Sequence, residues 1–325
     1  MMESGPLQRL AASLSGKKIL VIGDVMLDEY IVGESKRFSP EAPVPVVEVQ
    51  TRTCRPGGAA NVAANVAALG SMAILAGAVG TDEAAERLMA ELDIRGIETS
   101  GIIADPDRPT TTKTRIIANQ QQLVRLDWEE KKCLPSVLGG ILLKRTLQQL
   151  SKADACIVSD YAKGVVSSRL AGEVISQARN ANKPVIVDPN GADYTLYRGA
   201  TVLKPNQHEV ERFIDAQIPD TEALTKAGHK MALAVPGSAL LITRGAEGML
   251  LFQEGSEPRS FPTHARDVND PTGAGDTVAA VLALALASGA KLEQSVRLAS
   301  SAAGIAVGKA GPATVSIEEL LNEVS

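Results

Sequence analysis

Short apolar strands alternate with helical stretches along most of the chain, and this alternation limits the possible folds more than any other feature. A strand at Lys18–Gly23 (KILVIG) is followed by a predicted helix over 59–69, a strand over 73–79 and a helix over 82–95. The strands read as continuous apolar runs, which is typical of a parallel sheet covered by helices on both faces. The sequence therefore predicts an α/β fold with a three-layer, doubly wound, mainly parallel sheet. The later predicted elements are helices over 135–150 and 168–180 and strands over 155–159, 185–188, 201–203 and 239–243.

Two segments interrupt the alternation. Residues 29–54 are rich in Val and carry closely spaced prolines, and residues 100–128 contain Ile, Thr and Val without a helical period. Because proline is confined to sheet edges and irregular regions, we expect both segments to be extended and to pair as a small β-sheet that acts as a lid. Ordinary edge hairpins are the alternative. No linker or repeat divides the remainder, so we expect residues 1–325 to form a single domain.

Composition excludes several functional classes. The net charge of -5 and the aromatic fraction of 3% disfavour both phosphate-backbone binding and base stacking, so no nucleic-acid partner is expected. The three histidines and three cysteines lack metal-ligand spacing, and scattered cysteines fit a reducing cytoplasm. The longest apolar run, 278–287, is shorter than the roughly 20 residues that span a bilayer, and no export signal is visible. We therefore expect a cytoplasmic protein without a membrane segment.

The most specific motif is DPTGAGDT at 270–277, directly before an apolar helix. Gly273, Ala274 and Gly275 would present bare backbone N–H groups at the positive end of the helix dipole, where an anion is favoured. Asp276 in the first turn could then take a proton from an attacking hydroxyl. A carboxylate that only caps the helix is the alternative.

Two further motifs fit a polyhydroxyl ligand. In RPGGAANVAAN at 55–65, Gly57 and Gly58 allow close approach of a ligand to the backbone, and Asn61 can both donate and accept hydrogen bonds. A glycine turn before an alanine-rich helix is the alternative. Asp24 follows the first strand at its carboxyl end, where ligands of α/β proteins usually bind, although a turn or solvated residue is equally compatible with the pattern.

Two motifs fit a nucleotide. In KPNQHE, Asn206 and Glu209 are spaced as a helix cap and an acidic first turn, and they could instead act on a hydrated Mg²⁺ and a phosphate. In TRGAEG, the turn formed by Thr243, Gly245 and Gly248 could contact nucleotide phosphates or simply join two strands. The chain contains neither a GxxxxGK[ST] P-loop nor a GxGxxG after the first strand, so P-loop and dinucleotide chemistry are disfavoured.

Taken in order, six motifs resemble those of the ribokinase-like sugar kinases, also called the phosphofructokinase B family, over 18–312. They are GDVMLDEY, RPGGAANVAANVAALG, GAVGTDEAAERL, KPNQHE, TRGAEG and DPTGAGDT. The resemblance implies an α/β core with a β-sheet lid and transfer of the ATP γ-phosphate to a sugar hydroxyl with Mg²⁺. It also implies a homodimer, because lids of this family often close a dimer.

The resemblance assigns a role to each motif. It implies that Asp276 is the general base and that the backbone of Gly273, Ala274 and Gly275 is the anion hole. The remaining assignments are sugar contacts at Asp24, Gly57, Gly58 and Asn61, the phosphate and Mg²⁺ group at Asn206 and Glu209, nucleotide contacts at Thr243, Gly245 and Gly248, and a monovalent cation such as K⁺ at Asp270 and Thr272.

Within the family, four segments are most similar to the kinases of D-glycero-β-D-manno-heptose 7-phosphate: SPEAPVPVVEV, NQQQLVRLDWEE, SDYAKGV and YRGATVLKPN. These kinases phosphorylate the anomeric hydroxyl on the way to ADP-heptose for lipopolysaccharide. A phosphorylated substrate needs cations near its remote end, and Lys113, Arg115, Arg125 or Lys163 could supply them. A solvated strand face is the alternative for the cations of the lid.

Two departures keep other functions open. Asn190 stands where the heptose kinases usually have lysine, which favours a kinase of another sugar such as fructose or ribose, or requires another cation. The HxGH of the nucleotidyltransferase often joined to these kinases is absent, so a protein with the kinase activity alone is expected. A non-catalytic regulator that binds sugar or nucleotide is a third possibility, against which the intact Asp276 and glycine loop count.

Overall fold

The computed structural model describes residues 5–190, 193–263, 272–309 and 313–325. Within these ranges the strands are β1 (Lys18–Gly23), β2 (Val25–Phe38), β3 (Pro45–Gly58), β4 (Met72–Val79), β5 (Glu98–Ala104), β6 (Thr111–Ala118), β7 (Gln121–Trp128), β8 (Ala155–Ser159), β9 (Val185–Asp188), β10 (Val202–Leu203), β11 (Ala239–Thr243), β12 (Met249–Phe252) and β13 (Arg259–Phe261). The helices are α1 (Pro6–Ala12), α2 (Ala59–Ala68), α3 (Glu83–Ile94), α4 (Ser136–Leu150), α5 (Ser168–Asn180), α6 (Gln207–Ile214), α7 (Thr221–Ala234), α8 (Ala274–Ala287), α9 (Leu292–Val307) and α10 (Ile317–Glu323).

The large sheet has the strand order β13-β12-β11-β10-β9-β8-β1-β4-β5 among the described residues. Neighbouring strands are parallel except at one edge, where β12 is antiparallel to β11 and β13 is antiparallel to β12. The chain moves outward from β1 through β4 to β5 and then starts again at β8 on the other side of β1. The strand order therefore reverses between β1 and β8, and ligands of open α/β sheets bind beyond the carboxyl ends of strands at such a point.

The core has two layers, one on each face of this sheet. Ile19 and Val21 of β1 join one buried apolar cluster, and Leu20 and Ile22 of the same strand join the other. Buried positions run along α8 from its first turn to Ala285, so this helix crosses the core of the first layer. The predicted fold class, a mostly parallel helix-covered sheet with a separate small sheet, is confirmed.

The small sheet has the strand order β3-β2-β6-β7. Its strands extend beyond the predicted limits of 29–54, because β2 starts at Val25 and β3 continues to Gly58. The predicted segment 100–128 divides between the two sheets. Its first part lies in β5, which pairs in parallel with β4, because Ile102 and Ile103 fill opposite layers of the main core there. In the described ranges, no helix combines the length and apolar character needed to cross a membrane.

Candidate active site

Two cavities meet at the reversal point of the large sheet. The larger has a volume of about 370 Å³ and the smaller about 80 Å³. Tyr161, Gly273 and Asp276 line both of them. A group transferred between molecules bound in the two cavities would pass these three residues.

Asp276 lies in the first turn of α8, which begins after Gly273 in the left-handed conformation with φ of 84°. The Asn61 side-chain amide donates a hydrogen bond of 2.6 Å to Oδ2, and the Tyr161 hydroxyl donates one of 2.9 Å to Oδ1. Burial, followed by the charge of nearby Asp188, raises the pKa of Asp276 to about 6. A carboxylate with such a pKa can accept a proton near neutral pH.

The start of α8 also offers a site for an anion. Gly273, Ala274 and Gly275 all line the larger cavity at the helix N-terminus, which carries partial positive charge. A Cβ atom on Gly275 would lie 3.2 Å from Nζ of Lys204, so a side chain there would crowd this ammonium group. The glycine therefore permits a cation and a helix N-terminus to face the same space.

Lys204 and Asp188 are site residues that sequence reasoning missed. Nζ of Lys204 lies 2.8 Å from Oδ1 of Asp188, and both side chains line the larger cavity. Although burial disfavours its charge, the Asp188 carboxylate raises the pKa of Lys204, so the side chain remains an ammonium. The sequence indicated Lys204 only as the first residue of the motif KPNQHE.

The glycines before α2 have separate roles. Gly58 adopts a φ of 56° and lines the smaller cavity together with Asn61. A Cβ atom on Gly57 would lie 2.5 Å from Oδ2 of Asp28, so this glycine leaves room for that carboxylate. Gly57 is not among the described residues that line the two cavities. Asp28 itself lines the smaller cavity, although the sequence did not single it out.

Asp24 lies beneath the site. It is 1% exposed, and its carboxylate accepts backbone hydrogen bonds from Tyr161 (2.8 Å), Lys163 (3.1 Å) and Val165 (3.2 Å). Burial raises the pKa of Asp24. Asp24 is not among the described residues that line the two cavities, so in this structure it holds the loop after β8.

The structure separates the four candidate cations. Lys113 and Arg115, both on β6, line the smaller cavity, where Arg115 pairs with Asp28 at 2.6 Å. Burial lowers the pKa of Lys113, whose Nζ lies 5.8 Å from the ring centroid of Tyr161. The other two cations have partners elsewhere: Lys163 pairs with Glu129, and Arg125 pairs with Asp127 at 2.7 Å on an exposed strand.

The nucleotide candidates Asn206, Glu209, Thr243, Gly245 and Gly248 all line the larger cavity. Asn206 and Glu209 form a full capping box, in which the amide oxygen accepts the Glu209 N–H at 2.9 Å and Oε2 accepts the Asn206 N–H at 2.8 Å. Burial and the Asp188 charge raise the pKa of Glu209 to about 7. Helix capping and a place in the cavity are therefore combined in the same residues.

Three other predicted positions can be located. Asn190 lines the larger cavity, and its side-chain oxygen accepts a hydrogen bond of 2.8 Å from Arg212. A guanidinium group therefore lies next to the position where the heptose kinases usually have lysine. Thr272 lines the smaller cavity. Asp270 lies outside the described residues.

The sequence pattern of pfkB family carbohydrate kinases matches residues 16–320. The chain belongs to this family. The resemblance drawn from the six motifs and the predicted enzyme class, a carbohydrate kinase, are thereby confirmed. All described strands of both sheets fall within the matched pfkB region.

Individual pfkB relatives agree with the family assignment. The chain is 45% identical to the bifunctional protein HldE of Geobacter sulfurreducens over 99% of its length and 47% identical to that of Chromohalobacter salexigens over 94%. It spans 66% and 63% of those relatives. Among solved structures, Arabidopsis thaliana ribokinase complexed with ribose and ATP superposes with a TM-score of 0.74 at 22% identity, covering 95% of this chain and 99% of the ribokinase. Escherichia coli phosphofructokinase-2 in complex with potassium superposes with a TM-score of 0.75 at 18% identity, covering 95% of this chain and 98% of the phosphofructokinase.

Proposed function

We propose that this carbohydrate kinase transfers the γ-phosphate of ATP to the anomeric hydroxyl of D-glycero-β-D-manno-heptose 7-phosphate. The observation that carries the proposal is the place of Asp276, a buried carboxylate at the start of α8 that borders both cavities. In this arrangement ATP occupies the larger cavity and the sugar the smaller one. The ATP substrate favours action in the cytoplasm.

Phosphoryl transfer requires a base at the acceptor hydroxyl and positive charge at the transferred group. The Asp276 carboxylate takes the proton of the anomeric hydroxyl, whose oxygen forms a bond to the γ-phosphorus while the bond to the β-phosphate oxygen breaks and ADP leaves. The N–H groups of Gly273, Ala274 and Gly275 stabilise the charge on the transferred phosphoryl group. The ammonium of Lys204, held beside Gly275 and paired with Asp188, can donate a hydrogen bond to that group.

Mg²⁺ fits the nucleotide side of the site. The ion prefers oxygen ligands, keeps several waters, and is usually held by one or two carboxylates together with substrate phosphates. Oε2 of Glu209 is used in the capping box, and Oε1 lies 3.8 Å from Arg212, beyond hydrogen-bond distance. Oε1 would therefore accept from a water of the hydrated ion, with Asn206 beside it. When bound, Mg²⁺ neutralises phosphate charge. We also propose a K⁺ site at Asp270 and Thr272, by analogy with the phosphofructokinase-2 solved with potassium.

The heptose phosphate is favoured over other sugars by two observations. The identity of 45% to a bifunctional HldE protein over nearly the whole chain supports the substrate class implied by the segment resemblances. Besides the Arg115–Asp28 pair, the smaller cavity is also lined by the cation Lys113, which a neutral sugar would not need. We assign Lys113 to the remote phosphate, because burial of its ammonium is offset when an anion binds. Arg115 already neutralises Asp28 at 2.6 Å.

The proposal is tested by measuring ADP release with heptose 7-phosphate, fructose and ribose in parallel. We expect kcat/KM for the heptose phosphate to exceed the others by at least tenfold. Asp276→Asn should lower kcat by about 10² to 10⁴ with little change in ATP affinity, as loss of a general base implies. Preference for fructose or ribose would favour the alternative that Asn190 raises. Sugar binding without ADP release from any sugar would favour a regulator.

A homodimer through the small sheet is part of the proposal. Alternate residues on one face of β7, Val124, Leu126 and Trp128, are exposed, with Trp128 50% exposed. Apolar patches of this kind usually mark interfaces, and a second copy of this chain is the occupant we propose. Light scattering should give twice the mass of the chain. Leu126→Glu should give a monomer, and a wild-type monomer at micromolar concentration would contradict the proposal.

A further inference from the structure

The loop after β8, residues 160–165, has a strained backbone beside the proposed base. Ala162 adopts a φ of 55° and Gly164 a φ of 86°. Ala162 carries a Cβ atom and is strained in this left-handed conformation, whereas glycine adopts it freely. Strain of this kind persists only where surrounding contacts determine the conformation, and it concentrates at functional sites.

Two buried carboxylates hold this loop from below. Asp24 accepts the three backbone N–H groups described above. Asp160 accepts the N–H of Ala162 at 2.7 Å and the hydroxyl of Tyr197 at 2.5 Å. The loop is thus fixed from outside by Asp24, which lies between β1 and β2, and by Tyr197 of the short helix at Tyr194–Tyr197.

The side chain that this loop places in the site is Tyr161. Its hydroxyl donates the 2.9 Å hydrogen bond to Oδ1 of Asp276, and its ring lies beneath the ammonium of Lys113 on β6. Burial raises the pKa of Tyr161 well above its usual value, so the phenol keeps its proton and acts only as a donor toward the carboxylate. Tyr161 therefore hydrogen-bonds to the proposed base and also lies within cation–π distance of a lysine of the small sheet.

We propose that Tyr161 is a positioning residue that sets the orientation and basicity of Asp276, and that the 160–165 loop is built to aim its hydroxyl. The proposal rests on the assignment of Asp276 as the base. With Tyr161 on Oδ1 and Asn61 on Oδ2, both oxygens are fixed, and each keeps a lone pair for the sugar hydroxyl. Hydrogen bonds to the ionised form keep the base charged despite its burial.

Other charged groups also face Asp276. Asp160, Asp188, Lys204 and Glu209 line the larger cavity with it, and Asp28, Lys113 and Arg115 line the smaller one. Asp188 opposes ionisation of the base and Lys204 favours it. These groups remain in place when only the Tyr161 hydroxyl is removed, so the effect of that hydroxyl can be measured separately.

The test is a carboxyl titration of the full chain labelled with ¹³C at aspartate, with the Asp276 signal assigned through Asp276→Asn. Tyr161→Phe should raise the pKa of Asp276 by about one, the loss expected for one hydrogen bond to a charged group. Tyr194→Phe removes another buried hydroxyl, one that donates to the Glu209 carbonyl, and should leave the titration unchanged. About threefold less Asp276 should be ionised at pH 6.5 in Tyr161→Phe, and the acid limb of the kcat/KM profile should move with the titration.

A site-specific 3-fluorotyrosine at position 161 guards against misfolding of the Phe variant. It keeps the ring, and because its phenol is a stronger donor it should lower the pKa of Asp276. An unchanged Asp276 titration in both variants would overturn the inference, as would an equal change in Tyr194→Phe. If the titration moves as expected while no sugar yields ADP, the inference holds for the carboxylate and the proposed kinase reaction fails instead.

Discussion

Asn61 and Asp276 are 215 residues apart in the chain, yet the side-chain amide of one donates a 2.6 Å hydrogen bond to the carboxylate of the other. The hydroxyl of the next residue, Thr277, donates at 2.9 Å to the side-chain oxygen of Asn65, which lies one turn after Asn61 in α2. These two contacts join α2 to α8. They bring the glycine motif of the sugar cavity and that of the anion site into one rigid unit.

Replacing Asn61 by aspartate tests this relationship. Asn61→Asp keeps the size of the side chain but places a second carboxylate against Asp276, and two adjacent carboxylates cannot both ionise near neutral pH. We expect kcat at pH 7 to fall by at least about 10², while ATP affinity changes little. Full activity with an unchanged pH profile would show that Asn61 does not act on the base. Circular dichroism melting checks that the variant is folded.

The pH dependence of the wild-type reaction follows from the pKa of Asp276, which burial and Asp188 raise to about 6. The base must be ionised to accept a proton, so activity should be nearly complete above pH 7 and fall about tenfold per pH unit below pH 5. Measured between pH 5 and 8 with Mg²⁺ in excess, which keeps Glu209 ionised, kcat/KM should show an acid limb near pH 6. A limb near pH 4, the usual range of an aspartate, would contradict the assigned environment.

The cation assignment predicts a selective change in substrate affinity. Lys113→Met removes the ammonium in the smaller cavity but keeps a flexible side chain, so KM for the sugar phosphate should rise about tenfold or more while KM for ATP stays constant. Lys36→Met removes a lysine that is exposed at the far part of β2 and should leave both constants unchanged. Equal KM values for the sugar phosphate in the two variants would contradict the assignment of Lys113 to the substrate phosphate.

The buried pair of Lys204 and Asp188 predicts separate effects on stability and activity. Lys204→Met leaves a carboxylate buried without its partner and should lower the free energy of unfolding by about 3–5 kcal/mol in urea denaturation. The double variant Lys204→Met with Asp188→Leu should regain most of that stability. Activity should stay low in both, because the ammonium beside Gly275 is lost. A double variant no more stable than the single one would show that the pair is not the cause.

The fold could be predicted closely from sequence because its signals are local. The apolar run of β1 was predicted with its observed bounds, and α2, α4 and α5 agree within one residue. The error over 100–104 arose because a short Ile-rich strand suits the edge of either sheet. The parallel pairing of β5 with β4 in the structure is what places these residues in the large sheet.

Site residues could be predicted where a single contiguous motif contains the residue types that the chemistry requires. Asp276 and Glu209 stand in glycine-rich or capping motifs, and both line the larger cavity. Tyr161 could not be found in this way, since its orientation depends on Asp24, which is 137 residues earlier in the chain. The role of Lys204 could not be predicted for the same reason, because it depends on the contact with Asp188 and on the short distance to Gly275.

Gly164 offers a test of how strictly the 160–165 loop is built. Its φ is 86°, and a Cβ atom would lie 2.1 Å from the backbone oxygen of Lys132, so Gly164→Ala must move the backbone. Gly255→Ala is a matched control, because its φ of 74° is similar but nothing lies within 4 Å of its Cβ position. The control should cost about 1 kcal/mol of unfolding free energy, the usual strain of the left-handed region. Gly164→Ala should cost more and should lower kcat more than it raises either KM, because the loop that carries Tyr161 is displaced. Equal losses of stability with normal kcat in both variants would mean that the position of this loop does not matter for catalysis.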